Sequence, residues 1–270
     1  MLGRLRIATP DQLRILLTPD AASTSYVRKA LGDLAAERLV ERFTAGRQSY
    51  WACTPTGLAE VRASGEAERR EGRTTGQRAA GRTGLRGHAL AVTDTAIALH
   101  TAGHADHTDW RVEVAHPTPA GRLVADALVL LADGDHAFVE VERTTTNPAV
   151  LAKLDHYSAY LRAPATGRGS AAYTPRPPWQ ETYAPALHGR GQGPGFPLLL
   201  FVFAPGQGRP VPETREHALH AGAQVRGWDR GLTVATTTLA RLDADPAGPV
   251  WHVLGTAAGE VGLPGVRRAR

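Results

Sequence analysis

The feature that most constrains the fold is a pair of apolar, strand-like runs that each carry a carboxylate. The runs span residues 123–131 and 136–141, with a turn at 132–135 between them; Asp126 lies in the first run and Glu140 in the second. Burying an unpaired carboxylate costs several kcal/mol or more, so each needs a partner. A divalent cation between adjacent strand ends would be one, because Mg²⁺ and Mn²⁺ prefer oxygen ligands. The runs therefore predict two antiparallel strands whose carboxylates meet at one sheet edge.

Composition restricts the compartment and indicates a partner. The single cysteine, Cys53, excludes a disulfide framework and any zinc site built on cysteines. The chain has no signal-peptide pattern and no apolar run of about 18 residues, which predicts a cytoplasmic protein without a membrane partner. Residues 1–86 carry 15 Lys and Arg against 9 Asp and Glu, whereas residues 87–270 carry 16 against 17. Positive charge concentrated in the first third is typical of a surface that binds a phosphate backbone.

The first third of the chain, residues 1–66, predicts a helix-turn-helix unit. Thr9 and Pro10 mark a helix start, residues 23–38 have apolar side chains at helical spacing, and two β-prone runs flank a loop at 44–48. This order resembles the winged helix-turn-helix domains of bacterial regulators and plasmid proteins, which implies binding to double-stranded DNA through a recognition helix and a wing. The side chains expected to contact DNA are Ser23, Thr24, Ser25, Arg28, Lys29, Arg42 and Arg47.

Three questions about this unit stay open at the level of sequence. A small helical domain could instead bind protein or dimerise. The first helix of a winged helix should precede Thr9, where eight residues remain, so either that helix is short or the start is trimmed. A winged helix that reads a palindrome would act as a homodimer, although the sequence does not indicate a dimer surface.

Residues 67–86, rich in Arg and Gly, predict a basic flexible linker.

Residues 87–260 predict a second unit of α+β or α/β class, with elements in the order helix, three strands, helix, strand. The apolar patterns favour a helix at 88–100, a strand at 110–115 with Val112 and Val114 on one face, the two acidic strands, a helix after Pro148 with an apolar stripe, a buried strand at 196–204, a surface helix at 213–226 and a strand at 232–242. The stripe consists of Leu151, Leu154, Ser158 and Leu161. A long loop is expected at 164–195.

This order of elements is similar to the restriction-endonuclease-like αβββαβ core, which is associated with a PD…(D/E)xK motif. Ala125-Asp126 stands where Pro-Asp would be, and residues 140–142 stand where (D/E)xK would be, so that Glu142 fills the lysine position. Lys153 on the following helix could supply the ammonium, on a face shared with Tyr157 and Tyr160. The resemblance implies catalysis by Asp126, Glu140, Glu142 and Lys153, with Mg²⁺ or Mn²⁺ held by Asp126 and Glu140.

The whole arrangement resembles the replication-relaxation family of actinobacterial plasmid and mobile-element proteins. The matching segments are residues 88–94, Ala125-Asp126 and residues 138–144, followed by a helix with Lys and Tyr. The resemblance implies a role in plasmid replication, DNA relaxation or conjugation, together with other replication or transfer proteins. Two classes of function stay open: a nuclease that nicks DNA, and a non-catalytic replication accessory or transcriptional regulator whose nuclease-like domain serves as a binding platform.

Each candidate site residue also has a purely structural interpretation. Asp126 and Glu140 could form salt bridges with one of Arg111, Arg122 and Arg143. Glu113 fits an exposed strand position, and a lone histidine such as His88 is more often structural than a ligand.

A pair of histidines, His104 and His107, lies in a polar segment that also contains Asp106 and Asp109. The sequence places no further ligand near this pair, so we do not retain it as a metal site.

Overall fold

The computed structural model shows a mixed α+β architecture with a three-stranded sheet, a mixed six-stranded sheet and a two-stranded ribbon. None of the helices in the described ranges combines the length and apolar character needed to cross a membrane. The structure describes residues 1–64, 83–118, 121–143, 145–165, 176–183, 195–257 and 259–269.

The N-terminal unit contains four helices and a small antiparallel sheet with strand order β1-β3-β2. Its elements are α1 (Leu2–Leu5), β1 (Ile7–Ala8), α2 (Pro10–Leu17), α3 (Ser25–Ala36), β2 (Val40–Ala45), β3 (Gln48–Cys53) and α4 (Pro55–Ala63). A four-residue helix thus precedes Thr9.

Local signals determine where these helices and strands begin and end. Thr9 and Gln12 form a reciprocal capping box at the start of α2, and the Thr54 hydroxyl accepts the Gly57 backbone N–H at 3.1 Å at the start of α4. The loop between β2 and β3 is shorter than the loop predicted at 44–48. The two strands are joined by Gly46 and Arg47 alone, with Gly46 at a φ of 58°, which glycine adopts without strain.

The second part of the chain builds the six-stranded sheet and the helices around it. Its elements are α5 (Thr83–Thr101), β4 (Trp110–Val112), β5 (Ala115–Thr118), β6 (Gly121–Val124), β7 (Ala127–Leu130), β8 (His136–Glu142), α6 (Asn147–Leu161), α7 (Pro178–Tyr183), β9 (Leu198–Phe203), α8 (Pro212–Arg226), β10 (Val234–Thr238), α9 (Leu239–Ala244) and β11 (His252–Val253). Most of the basic linker predicted at 67–86 lies outside the described residues, and its last four residues begin α5. The long loop predicted at 164–195 contains α7, and residues 166–175 and 184–194 also lie outside the description.

The six-stranded sheet, in the order β11-β10-β9-β8-β7-β4, separates two layers of helices. Strands β4, β7 and β8 form an antiparallel meander, and β9 and β10 run parallel to β8. Alternate residues of each strand face opposite sides. Val139 and Val141 pack into the cluster that contains α5, whereas Phe138 packs with the side chains of α6 and α8. Strand β9 is buried along its whole length, as expected for a central strand.

Two of the predicted strands are broken in the structure. The strand expected at 110–115 ends at Val112, because Glu113 has a φ of 52° and turns the chain out of the sheet. Val112 and Val114 consequently pack on different sides, contrary to the prediction. The run 123–131 divides into β6, which pairs with β5 in the ribbon, and β7, which returns to the main sheet.

Two further predictions need correction. The buried residues of α6 are Val150, Leu154, Tyr157 and Tyr160, so the core stripe differs from the predicted one. The strand expected at 232–242 is β10 followed by the short helix α9, whose first turn is capped by the Thr238 hydroxyl.

The N-terminal unit packs directly against α5 and β4. The Gln12 side-chain amide donates to a carboxylate oxygen of Asp94 at 2.6 Å, and the Thr93 hydroxyl donates to the Ile7 carbonyl at 3.1 Å. Leu5 and Leu16 belong to the same buried cluster as the residues on the α5 face of the six-stranded sheet. The two parts of the chain therefore share one apolar core at this contact.

Candidate active site

Two buried glutamates lie on the α6 face of β8. Glu140 and Glu142 are two positions apart and therefore point to the same side of the sheet as Phe138. Glu140 is 2 % exposed and Glu142 is 0 % exposed. Burial of two like charges side by side requires a compensating cation, because each carboxylate loses its hydration.

Lys153 on α6 supplies that cation. Its ammonium nitrogen lies 2.5 Å from Oε2 of Glu140 and 2.6 Å from Oε1 of Glu142. Tyr157, one helical turn further on, donates its hydroxyl to Oε1 of Glu140 at 2.6 Å. The structure thus brings together Lys153 and both glutamates of β8. Tyr157 joins them because it shares a helix face with Lys153.

The electrostatics of this cluster favour a charged lysine. Burial, together with the neighbouring charges of Asp126 and Glu142, raises the pKa of Glu140 to about 7 against the attraction of Lys153. Burial alone would lower the pKa of Lys153, but the three carboxylates raise it above its usual value. The pKa of Tyr157 is raised by burial and by Glu140, so that the residue remains a phenol and a hydrogen-bond donor at neutral pH.

Asp126 lies at the break between β6 and β7, rather than inside a strand as predicted. Its Oδ1 is 3.0 Å from Nε2 of His88, near the start of α5, and its Oδ2 accepts the Val141 backbone N–H at 2.8 Å. Burial alone would raise the pKa of Asp126, but His88, Lys153 and the Val141 N–H lower it to about 2. The pKa of His88 is raised, because the charge and hydrogen bond of Asp126 outweigh its desolvation.

Glu113 does not occupy the exposed strand position that the sequence predicts. It forms an ion pair with Arg6, and the Glu113 side chain is 17 % exposed. Arg6, His88, Glu113 and Asp126 line one narrow cleft between the N-terminal unit and α5. The N-terminal unit therefore contributes a cation to the surroundings of Asp126.

Within the described residues, the ion-pair partners of Asp126 and Glu140 differ from the arginines that the sequence suggests. Asp126 pairs with His88, and Glu140 pairs with Lys153. Arg143, the nearest of those arginines in sequence to Glu140, donates instead to the carbonyls of Pro205 and Gly84. The sequence does not identify His88 as a partner of Asp126, because a single histidine carries no spacing that would indicate its partner.

Arg215 on α8 holds the end of β8 in place, and the sequence carries no signal for this role. Its guanidinium donates to four backbone carbonyls at the ends of β8 and β9, at 3.0 to 3.3 Å: those of Glu142, Arg143, Ala204 and Thr145. The residue is 8 % exposed. The loop after β9 comes close to the same end, since a Cβ on Gly206 would lie 1.9 Å from the Arg143 carbonyl oxygen.

Asp126, Glu140 and Glu142 offer carboxylate oxygens as ligands for a cation, although the three groups do not form a compact cluster. Both carboxylate oxygens of Glu142 are buried and lack a hydrogen bond within the described residues; only the ammonium of Lys153 lies close, beside Oε1. Among the residues that the structure describes, one group of three possible ligands has its atoms within 4.8 Å of one another, and it consists of His100, Asp106 and His107. A divalent cation near β8 would therefore be bound by one or two carboxylates, as is usual for Mg²⁺.

Comparison with known proteins identifies the family. The replication-relaxation family model matches residues 1–172, which is more than half of the chain. The chain belongs to the replication-relaxation family. This membership associates it with replication or relaxation. No curated protein and no solved structure gives a significant match.

The family match includes the N-terminal unit and every residue of the site up to α6, but not β9, α8 or Arg215. In this replication-relaxation protein, the seven side chains predicted to contact DNA lie on or next to α3 and the β2–β3 hairpin. All except the half-buried Thr24 are exposed. Arg28 donates its Nε–H to the Thr24 hydroxyl at 2.9 Å, which orients the guanidinium at the start of α3.

Proposed function

We propose that this replication-relaxation protein binds double-stranded DNA and nicks it with a metal-dependent endonuclease site. The observation that carries the proposal is the contact of the Lys153 ammonium with the two buried glutamates of β8. A lysine beside a carboxylate pair is the arrangement that the PD…(D/E)xK resemblance requires, and here the lysine comes from the following helix. The biological setting we propose is cytoplasmic replication or transfer of an actinobacterial plasmid or mobile element.

The topology of the second unit supports a restriction-endonuclease-like fold. Helix α5 is followed by the antiparallel strands β4, β7 and β8, then by α6 and by β9 parallel to β8. This is the predicted order of helix, three strands, helix and strand, with the β5–β6 ribbon inserted after β4. Asp126 directly precedes β7 and the glutamates end β8, so the acidic residues come from adjacent strands.

The residues present fit a hard divalent cation, because Glu142 has buried oxygens without a hydrogen bond in the described part of the chain. Asp126 and Glu140, together with Glu142, would hold Mg²⁺ or Mn²⁺. Such an ion supplies charge neutralisation and an acidified water when bound. Mg²⁺ usually keeps several waters and takes one or two carboxylates together with substrate phosphate, which suits a site without a compact set of three ligands.

The protein's own side chains can orient a phosphodiester and neutralise it. Lys153 stays protonated at neutral pH and offers an ammonium for the negative charge that develops on phosphorus oxygens. Tyr157 and His88 hold Glu140 and Asp126 in place through hydrogen bonds of 2.6 and 3.0 Å. These contacts reduce the reorganisation required when a charged substrate arrives.

The N-terminal unit supports DNA binding as a winged helix. Helices α2 and α3 followed by the β2–β3 hairpin match the order of a recognition helix and wing, and α1 is the shortened first helix. Arg28 and Lys29 are exposed on α3, and Arg42 and Arg47 are exposed on the hairpin. Exposed arginine and lysine on these two elements favour contact with phosphates. A homodimer would match a palindromic DNA site. Other replication or transfer proteins would be further partners.

A second candidate function is a non-catalytic accessory or regulator that uses the second unit as a binding platform. The observation that favours it is the same ion-pair cluster, because the ammonium of Lys153 already compensates Glu140 and Glu142 without a metal. The strand position that would hold lysine in the motif also carries a carboxylate, Glu142.

Cleavage of supercoiled plasmid tests the proposal. Wild-type protein would be incubated with Mg²⁺, Mn²⁺ or EDTA beside Asp126→Asn, Glu140→Gln and the control Asp155→Asn, which changes an exposed carboxylate on α6. We expect metal-dependent nicking that the two site variants lose and the control retains. A plasmid shift in a gel without nicking by any variant would instead establish the non-catalytic function.

A further inference from the structure

A second group of possible metal ligands lies away from the β8 carboxylates, at the end of α5. His100 is in the last turn of α5, and Asp106 and His107 belong to the short turn that leads into β4. One ligand atom from each residue lies within 4.8 Å of the others. The two imidazole rings meet edge to face, with centroids 4.8 Å apart. The structure therefore pairs His107 with His100, and not with His104 as the sequence suggests.

One atom of this group lacks a partner. Nδ1 of His107 is buried and makes no hydrogen bond within the described residues. Oδ1 of Asp106 lies 3.6 Å from this nitrogen, beyond hydrogen-bond distance. An unsatisfied buried nitrogen of this kind is unfavourable, so the geometry points to a ligand that the nitrogen would contact.

Hydrogen bonds within the turn orient the carboxylate of Asp106. Its Oδ1 accepts both the backbone N–H and the hydroxyl of Thr108 at 2.7 Å. The Thr108 carbonyl in turn accepts a hydrogen bond from Arg4 of α1. The carboxylate beside the two histidines is thus oriented by its own turn, and that turn is attached to the N-terminal unit.

The class of metal ion that two imidazoles and one carboxylate prefer differs from the class that the acidic residues of β8 prefer. Imidazole suits Zn²⁺, Ni²⁺ and Co²⁺, whereas Mg²⁺ requires oxygen ligands. Metal–ligand bonds of about 2.0–2.2 Å place ligand atoms about 3.3 Å apart in a tetrahedron, so the three side chains need to move together by roughly 1 Å. His100 and His107 are half-buried and Asp106 is exposed, which leaves room for this movement.

We propose that His100, Asp106 and His107 form a transition-metal site, with Zn²⁺ as its ion and a water in the fourth position. The site joins the end of α5 to the turn before β4, beside the contact with α1. It is independent of the proposed nuclease chemistry, because it shares no residue with the Asp126, Glu140 and Glu142 group.

Cobalt titration of the metal-free protein tests the proposal. Protein without a polyhistidine tag, stripped with EDTA, would be titrated with Co²⁺ and then with Zn²⁺ while its visible d–d absorption is recorded. We expect one equivalent of Co²⁺ to produce a tetrahedral spectrum that Zn²⁺ abolishes. His100→Gln and His107→Gln should each lose this spectrum, whereas His104→Gln and Asp126→Asn should keep it.

Thermal unfolding gives a second readout that does not depend on the spectrum. Zn²⁺ at about 100 times its Kd should raise the Tm of the wild type by about 5 °C, and the increase should disappear in His100→Gln and His107→Gln. Wild-type protein without a saturable Co²⁺ spectrum would overturn the proposal. A spectrum that persists in both histidine variants would also overturn it, since the ion would then bind elsewhere.

Discussion

Lys153 on α6 places its ammonium nitrogen 2.6 Å from a carboxylate oxygen of Glu142 on β8. Glu142 stands at the strand position that carries lysine in a (D/E)xK sequence, and Lys153 contacts it from the next helix. Glu142 is 0 % exposed, so this contact compensates a charge that has no access to water. The two residues depend on each other, and this dependence can be measured.

Replacing Lys153 by Met should destabilise the fold strongly. Glu140 and Glu142 would lose their shared cation while remaining buried, and breaking a buried ion pair in this way typically costs about 3–5 kcal/mol. Urea denaturation at pH 7 measures the free energy of unfolding. The double variant Lys153→Met/Glu142→Gln should recover part of the loss, because it removes one of the two carboxylates that lose their cation. A loss below about 1 kcal/mol for Lys153→Met would show that the carboxylates of Glu140 and Glu142 become accessible to water in the variant.

Arg215 should be as important for stability as a core residue, although it is charged. Its replacement by Met removes one donor from each of four backbone carbonyls, of which that of Glu142 keeps the Ala204 N–H, and we expect a loss of about 2–4 kcal/mol. Arg215→Lys should not restore stability, since one ammonium cannot reproduce the planar set of donors. The matched control is Arg226→Met on the same helix, where an exposed pair with Asp155 contributes at most about 1 kcal/mol. Equal effects of the Arg215→Met and Arg226→Met substitutions would refute this role.

His116 should make the protein sensitive to acid. It is 5 % exposed, its Nε2 lies 3.0 Å from the Tyr183 hydroxyl, and burial lowers its pKa to about 4. The unfolded chain binds this proton near pH 6.5 and the folded chain only near pH 4, so the unfolded state binds more protons in between. Stability therefore falls as the pH falls through this window, by about 3 kcal/mol from this residue.

Unfolding free energies of the wild type and His116→Gln between pH 7 and pH 4 check this expectation. The variant cannot take up the proton, so its stability should decrease less steeply with acid than that of the wild type. Other groups titrate equally in both proteins, and the difference between the two curves isolates His116. Parallel curves would mean that His116 is not buried in its neutral form.

If the N-terminal unit binds DNA as proposed, single arginine substitutions should change the salt dependence of binding. Arg28→Gln and Arg47→Gln should each weaken binding and reduce the slope of log Kobs against log salt by about 1, because each removes one phosphate contact. Fluorescence anisotropy with duplex DNA at several salt concentrations measures the slope. Arg268→Gln, an exposed arginine near the other end of the chain, is the control and should leave the slope unchanged.

Elements with local signals follow from the sequence alone. The caps at Thr9 and Thr54 act on backbone groups three residues away, so the starts of α2 and α4 follow from short segments of chain. The alternation along β8 and the apolar run of β9 likewise indicate strands and their burial. The expectation that Lys153 approaches β8 rests on the PD…(D/E)xK resemblance, whereas the helical repeat explains only why Lys153 and Tyr157 share one face.

Features that depend on contacts between distant residues become visible only in the folded chain. Glu113 adopts a positive φ beside its ion pair with Arg6, and this break sends β5 out of the sheet. Asp126 meets His88 across 38 positions of the sequence, and Arg215 meets Glu142 across 73. His100 approaches His107 because the chain reverses after α5. Local patterns cannot predict such pairs, since a contact between distant residues depends on how whole elements pack and carries no spacing in the sequence.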